Sequence, residues 1–180
     1  MQTCQLGQVF LRTACARPLR LLAVENIEII SVSRFWKTPA FPIGSGPDYV
    51  NAAACVKTAL TPEALLERLH RIEAELGRIR DGGRWQAWPI DLDLLAYGDL
   101  VRPDAAGQTL WRELAPERQS VEAPDRLILP HPRMQDRAFV LVPLAEIAPG
   151  WRHPLTGETV TRMRCALPPR AFEGMGLAEP

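Results

Sequence analysis

Two aspartates in an alternating apolar background are the residues of this sequence best placed to do chemistry. In W-P-I-D-L-D-L-L-A-Y-G-D, Asp91 and Asp93 alternate with three apolar residues, Ile90, Leu92 and Leu94. Because side chains alternate between the faces of a strand, both carboxylates point the same way, roughly 6–7 Å apart. That spacing suits carboxylates that share a metal ion or flank a pair of metal ions. An isolated Asp-x-Asp can equally be a solvated strand face, so the pair needs partners elsewhere.

Basic side chains flank this acidic strand on both sides in the sequence. They are Arg78, Arg80 and Arg84 before it, and Arg126, His131 and Arg137 after it. Each one alone could be an ordinary surface charge. Together with an acidic metal face they supply what a polyphosphate requires, magnesium on one side and arginine forks on the other. Mg²⁺ usually takes one or two protein carboxylates and completes its octahedron with phosphate oxygens and water.

The elements that must position these residues alternate between strands and helices. Residues 27–33 and 48–60 predict strands from their β-branched and apolar content. Thr61 can cap a helix, Pro62 suits its first turn, and an apolar stripe over 65–79 predicts a helix of roughly five turns. The Asp-x-Asp strand follows. This order indicates an α+β fold.

Other segments are less regular. Residues 9–24 have a helical pattern interrupted by Pro18, and residues 37–47 predict a loop. Residues 102–125 predict a polar surface insertion with a short helix around Trp111. The motif L-I-L-P-H-P predicts a short strand and turn, and residues 136–147 predict a helix kinked by a proline. A hairpin and a last short helix follow.

Composition excludes several classes of protein. The 180 residues are 47% hydrophobic and 23% charged with a formal net charge of +0, which argues against a general nucleic-acid binder or a membrane-surface protein. Four scattered cysteines without C-x-x-C predict neither a disulfide framework nor a zinc site, and favour the cytoplasm. No apolar run reaches the ~20 residues of a membrane span. No dinucleotide or phosphate-loop glycine motif is present. Residues 1–24 contain arginines and no acid, as transit peptides do, but they lack serine.

Four segments resemble the 6-hydroxymethyl-7,8-dihydropterin pyrophosphokinase family of folate biosynthesis. They are P-D-Y-V-N-A-A, G-R-I-R…R-W, I-D-L-D-L-L-A-Y-G-D and L-P-H-P-R-M-Q-D-R-A-F-V-L-V-P-L-A-E-I-A-P, between about residues 27 and 151. The resemblance implies a ferredoxin-like αβα sandwich. It also implies transfer of the β,γ-pyrophosphoryl group of ATP to the pterin hydroxymethyl oxygen, leaving AMP. We expect the domain at 27–168, after a divergent segment 1–26 and before a tail 169–180.

The same resemblance implies roles for individual residues. The matches to the ligands of two Mg²⁺ ions are Asp91 and Asp93. The matches to catalytic groups, including a loop that closes over ATP, are Arg78, Arg80, Trp85 and Arg137. The matches to nucleotide contacts are Glu73, Arg84, Arg126 and His131. The matches to the pterin pocket are Thr38, Pro39, Tyr49, Asn51 and Phe139. A flat heteroaromatic ring suits aromatic faces and an amide that reads its edge.

Two places depart from the family pattern. The family opens with a central strand and a Gly-Ser-Asn-type turn, which M-Q-T-C-Q-L-G-Q-V-F does not match. We therefore expect the first central strand to be missing or divergent, residues 3–10 to be irregular or a short strand, and the chain to begin late. After the loop tryptophan, the usual G-P-R is Gln86-Ala87-Trp88, so a tryptophan replaces a phosphate-gripping arginine.

These departures leave an alternative function open. A weakened or inactive paralogue could still bind nucleotide or pterin. A nucleotidyltransferase also pairs Gly-Ser with Asp-x-Asp, but Gly44-Ser45 lies too far upstream of the aspartates. The expected partners are ATP and hydroxymethyldihydropterin, with no nucleic acid and no membrane, for a cytoplasmic monomer.

Overall fold

An antiparallel sheet is the frame of the molecule. The computed structural model describes residues 8–13, 21, 27–39, 48–77 and 91–178. Its strands are β1 (Gln8–Thr13), β2 (Ile27–Val32), β3 (Trp36–Thr38), β4 (Tyr49–Thr58), β5 (Leu92–Tyr97) and β6 (Gly176–Leu177). Its helices are α1 (Pro62–Glu75), α2 (Ala105–Arg112), α3 (Pro116–Val121), α4 (Ala138–Ile147) and α5 (Val160–Ala166), with 3₁₀ turns at Met134–Asp136 and Pro169–Phe172.

The long strand β4 organises the sheet. The strand order is β5-β1-β4-β3-β6, and β2 also pairs with β4. On one edge β4 pairs with β1. On its other edge, its first residues pair with β3 and its last residues pair with β2, so β2 and β3 follow each other along the same edge. The Ser33 backbone N–H donates to the Ala53 carbonyl at 2.9 Å and bridges the gap between them.

Helices cover both faces of this sheet. Residues 51–56 of β4 are all buried, which requires an apolar layer on each side. On one face Val56 packs with Leu65 and Leu69 of α1. On the other face Cys55 packs with Leu141 of α4, together with residues of α5. Neighbouring residues of one strand thus enter opposite layers, as strand geometry demands, and the result is an αβα sandwich.

Helix α1 forms for the local reasons that the sequence indicates. The Thr61 hydroxyl accepts a hydrogen bond from the Ala64 N–H at 3.2 Å, and Pro62 occupies the first turn. The buried stripe includes Leu65, Leu69 and Ile72, each 0% exposed. The helix covers 14 residues, so it has about four turns and not the five we expected. After it Gly77 has φ +93°, a left-handed conformation that favours glycine.

The position of β1 corrects one part of our expectation that the first central strand is missing or divergent, because a strand is present there. Residues 8–13 form a strand that pairs with β4 on one edge and with β5 on the other. The helical pattern that we assigned from residue 9 was therefore wrong over 9–13. Val9, Phe10 and Leu11 are consecutive apolar residues, and such a run does not distinguish a central strand from a buried helix.

The sheet also extends beyond the limits of 27–168 that we expected for the domain. Strand β1, which precedes residue 27, pairs with β4 and β5, and β6, which follows residue 168, pairs with β3. The Ala178 N–H continues this pairing by donating to the Phe35 carbonyl at 2.9 Å. Strand β6 thus forms the outer edge of the sheet on this side. It pairs with backbone groups of β3 that would otherwise form an open edge.

Other segments differ from expectation in smaller ways. Trp36–Thr38 is a strand although we expected a loop from residue 37. The segment around Leu129 is an isolated bridge to Arg102 and not a strand of its own. The insertion folds into α2 and α3, in agreement with the predicted helix around Trp111. No helix within the described ranges is long and apolar enough to cross a membrane.

Candidate functional site

A cleft of about 600 Å³ lies where β5 begins. Its walls come from α1, the first residues of β5, helix α2, the chain after α3, and the segment that leads into α4. A volume of this size is typical of sites for small molecules, which span roughly 300–1,000 Å³. Because its walls come from separate parts of the chain, the cleft brings together groups that are far apart in sequence.

Both aspartates of the Asp-x-Asp motif line this cleft. Asp91 directly precedes β5 and Asp93 is its second residue, and both are half-buried. Leu92 and Leu94 are 3% and 4% exposed and belong to the core next to α1. Leu92 and Leu94 also contribute to the lining of the cleft, but burial alternates as the sequence predicts, with nearly buried leucines and half-buried aspartates.

Glu73 hydrogen-bonds to the backbone of Leu92, the residue between the two aspartates. Its side chain is 1% exposed, and its Oε1 accepts a hydrogen bond from the Leu92 backbone N–H at 2.8 Å. Glu73 lines the cleft, and its expected nearness to a nucleotide stays a prediction. The hydrogen bond shows that it also fixes the start of β5 to α1, and so sets the position of Asp91 and Asp93.

His131 enters the cleft with a defined tautomer. Its Nδ1 accepts a hydrogen bond from the Arg133 backbone N–H at 3.1 Å. A neutral ring that accepts at Nδ1 carries its proton on Nε2, which is then a donor. The His131 backbone N–H donates to the Leu95 carbonyl at 2.8 Å, which ties this segment to β5. Strand β5 thus positions both the His131 side chain and the two aspartates.

Three arginines add positive charge to the cleft. Arg137, half-buried, precedes α4, and Arg126 is exposed. Arg126 hydrogen-bonds through Nε to Asp125 Oδ1 at 3.1 Å, which lowers the pKa of that carboxyl. Burial lowers the pKa of Arg133, whose ordinary value is so high that it stays charged. The cleft therefore combines carboxylates with guanidinium groups, as a complex of phosphate and metal requires.

The residues matched to a pterin pocket lie outside the lining of this cleft. Asn51 and Thr38 are each 3% exposed, and the Asn51 amide nitrogen donates to the Thr38 hydroxyl at 2.7 Å. Tyr49, paired in register with Thr38, is 38% exposed, and Pro39 is half-buried. These four residues thus group at the junction of β3 and β4, where one amide is already oriented by a hydroxyl.

Arg137 connects the two groups of residues. Its guanidinium carbon lies 5.5 Å from the centre of the Phe139 ring, within the range of a cation–π contact. Arg137 lines the cleft with the aspartates, whereas Phe139 belongs to the set that we matched to the pterin pocket. A guanidinium group and an aromatic ring are therefore in contact at the start of α4.

The remaining predicted residues cannot be compared with the structure. Arg78, Arg80, Arg84, Trp85 and Trp88 lie within 78–90, outside the described residues. Their roles stay predictions.

The aspartate pair fits magnesium better than a metal held by protein alone. Within the described ranges, no group of three or more His, Cys, Asp or Glu side chains could hold a metal ion. Two half-buried carboxylates beside basic groups leave most of a coordination sphere to phosphate oxygens and water, as Mg²⁺ prefers. The donor set therefore suits a cation that arrives with a polyphosphate.

Sequence reasoning missed several residues that line the cleft, and three of them are basic or aromatic. Arg133 lies inside the L-P-H-P-R motif that carried the resemblance, and His70 lies three residues before Glu73 on the same helix face. These two could have been found from motif position and helical spacing. Trp111 marked a helix in our prediction but was given no role in a site, because nothing local shows that the insertion reaches the cleft.

The fold and the cleft together define a class of protein. The fold is an α+β sandwich of the ferredoxin-like type, and its acidic pair faces basic groups as in phosphoryl-transfer enzymes. Within that class, the chain belongs to the 7,8-dihydro-6-hydroxymethylpterin-pyrophosphokinase (HPPK) family, whose sequence profile matches residues 8–149.

Individual relatives agree with this membership. The 2-amino-4-hydroxy-6-hydroxymethyldihydropteridine pyrophosphokinase of Synechocystis sp. is 39% identical over 143 residues, 79% of this chain and 62% of that protein. The protein of the same name from Methylorubrum extorquens is 37% identical over 153 residues, 85% of this chain and 82% of that protein. Wild-type Plasmodium falciparum HPPK-DHPS has a similar fold, with a TM-score of 0.61 at 14% identity over 92% of this chain and 45% of that one. The chain thus spans less than two thirds of the Synechocystis protein.

Proposed function

We propose that this protein transfers the pyrophosphoryl group of ATP to 6-hydroxymethyl-7,8-dihydropterin, giving AMP and the pterin diphosphate for folate biosynthesis. The observation that carries the proposal is that Asp91, Asp93, His131 and Arg137 line the same cleft. Membership of the HPPK family supports the same reaction. A cleft with both signs of charge suits a polyphosphate bound together with a cation.

The phosphate side of the site consists of groups that are already oriented. His131 presents Nε2–H as a donor because Nδ1 is held by a backbone N–H. Arg137 and Arg133 line the same cleft and can bind phosphate oxygens that gain charge during transfer. Donors held in place before the reaction need little reorganisation, which is where such sites obtain their rate advantage.

Asp91 and Asp93 are the proposed magnesium ligands, for two ions bound with ATP. When bound, magnesium neutralises charge on the phosphate oxygens and aligns them for in-line transfer. The role of this chain is to hold both carboxylates on one side of β5. Leu92 and Leu94 in the core, together with Glu73 on the Leu92 N–H, maintain that orientation.

The acceptor side is proposed at the junction of β3 and β4. Asn51 can offer an amide edge to the heterocycle, and its orientation is supported by the hydrogen bond to Thr38. Tyr49 and Phe139 offer aromatic faces for a flat ring. Because Phe139 contacts Arg137, a pterin on this ring lies next to a phosphate-binding group.

A pterin-dependent assay of AMP tests the proposal. Purified protein receives Mg-ATP with the 6-hydroxymethyl compound, with the 6-methyl compound that lacks the acceptor hydroxyl, or with no pterin. AMP should form only with the 6-hydroxymethyl compound. AMP formation that ignores the pterin, or release of ADP, would contradict the reaction. Binding of ATP or pterin without AMP would identify the alternative, a paralogue that binds without turnover.

Three finer expectations belong to this proposal. We expect a monomer in the cytoplasm whose partners are small molecules and not nucleic acid. The free thiols of Cys55 and Cys165 are in keeping with a reducing compartment, and the net charge of +0 offers no general attraction for nucleic acid. Light scattering after size exclusion measures the oligomeric state directly.

A further inference from the structure

Helix α2 of the insertion meets the cleft along one side. Asp104 caps the helix, since its Oδ1 accepts from the Gly107 N–H at 2.8 Å. Gln108 is 0% exposed, whereas Leu110 is 65% exposed and faces solvent. Trp111 is half-buried and lines the cleft. Residues three apart share a helix face, so Gln108 and Trp111 belong to the inner side of α2.

Gln108 fixes this helix to the segment that carries His131. Its amide nitrogen donates to the Pro130 carbonyl at 3.2 Å and lies 3.5 Å from Nε2 of His153. Pro130 directly precedes His131. Nearby, the backbones of Arg102 and Leu129 exchange two hydrogen bonds, at 2.9 and 3.1 Å. The insertion is thus held by buried polar contacts, which gives Trp111 a defined place in the wall.

The cleft has a polar part and an apolar part. Asp91, Asp93 and the basic groups form its polar part, while Leu66, Ile128 and Trp111 supply apolar and aromatic surface. Among the described residues that line the cleft, Trp111 is the only one with a large apolar ring. Charged groups attract a triphosphate, but a nucleoside base needs a flat apolar surface, and tryptophan is well suited to that contact.

We propose that Trp111 is a nucleotide-binding residue, whose indole is the surface on which the base of ATP stacks, and that Gln108 positions it. The inference rests on the proposed function, since it takes the nucleotide as the co-substrate. The insertion then contributes a residue to the nucleotide site and is not only a surface loop. Because stacking accepts any purine, Trp111 contributes affinity for a base rather than a choice between adenine and guanine.

The test separates the base from the phosphates. Calorimetry measures binding of α,β-methylene-ATP and, separately, of inorganic tripolyphosphate, each with magnesium and without pterin, to the full chain. Trp111→Leu should weaken the nucleotide roughly five- to a hundredfold and leave tripolyphosphate within about twofold. Trp111→Phe should keep most of the nucleotide affinity. The control Leu110→Ala, on the exposed side of the same helix, should change neither.

Two results would overturn the inference: unchanged nucleotide affinity in Trp111→Leu, or an equal loss for both ligands. If Trp111→Leu does not fold, the unaltered chain decides. The indole N–H signal of Trp111, assigned by its loss in Trp111→Phe, should shift with the nucleotide and not with tripolyphosphate, and a signal that ignores the nucleotide refutes the contact. This binding test contains no pterin. A failure to form AMP in the pterin assay would therefore contradict the proposed reaction but not the contact between Trp111 and the base.

Discussion

Replacing Glu73 by alanine should destabilise the fold even in the absence of nucleotide. Glu73 is 1% exposed and accepts the Leu92 N–H at 2.8 Å, and Leu92 itself is 3% exposed. Glu73→Ala leaves that buried N–H without this acceptor, which costs about 1–3 kcal/mol, and removes packed side-chain atoms as well. We expect a loss of about 2–3 kcal/mol. In a domain of this size each kcal/mol lowers Tm by about 2–4 °C, so Tm should fall by roughly 4–12 °C.

Thermal and urea unfolding without ligand measure this loss. Glu73→Gln keeps an oxygen that can accept from the Leu92 N–H, so it should lose clearly less than Glu73→Ala. Glu75→Ala is the matched control, because Glu75 is on the same helix and exposed. If Glu73→Ala melts like Glu75→Ala while the KM for ATP rises, Glu73 acts as a nucleotide contact alone and its structural role is refuted.

Three further changes test other parts of the reasoning. Asp91→Ala or Asp93→Ala should each lower turnover by roughly 100-fold or more, the scale of a lost preorganised electrostatic contact, with the fold retained; near-parental turnover in saturating magnesium would remove the metal assignment. Trp88→Arg should raise AMP release, because a guanidinium can bind phosphate through two hydrogen bonds and an indole cannot; no gain would mean that another basic residue already does so. Burial, and to a lesser extent Arg112, lowers the pKa of His153 to about 4. Because unfolded histidine protonates near pH 6.5, His153 should cost the native state about 1.4 kcal/mol per pH unit as pH falls from about 6.5 to about 4, and no more below that. Urea unfolding measures the free energy of unfolding across this window, and the difference between the parent and His153→Gln should have that slope. A difference that does not change with pH would show that the native-state pKa of His153 is close to its ordinary value.

The features that the sequence determined are those with local physical causes. Thr61, Pro62 and the apolar stripe after them predict α1, because capping and helical periodicity act within a few residues. The alternation around Asp91 and Asp93 predicts one strand with both carboxylates on the same side, since strand geometry has a period of two. The motifs that carried the resemblance to the family lie in or next to these elements.

The features that only the tertiary structure decided depend on contacts between distant segments. Residues 8–13 are a strand because β4 and β5 pair with both of their edges, and an apolar run alone allows a helix equally well. Glu73 binds an N–H that is 19 residues away, and Gln108 binds a carbonyl that is 22 residues away. Such hydrogen bonds exist only after the sheet has brought its helices and loops together, because no local pattern specifies the partner of a buried polar group.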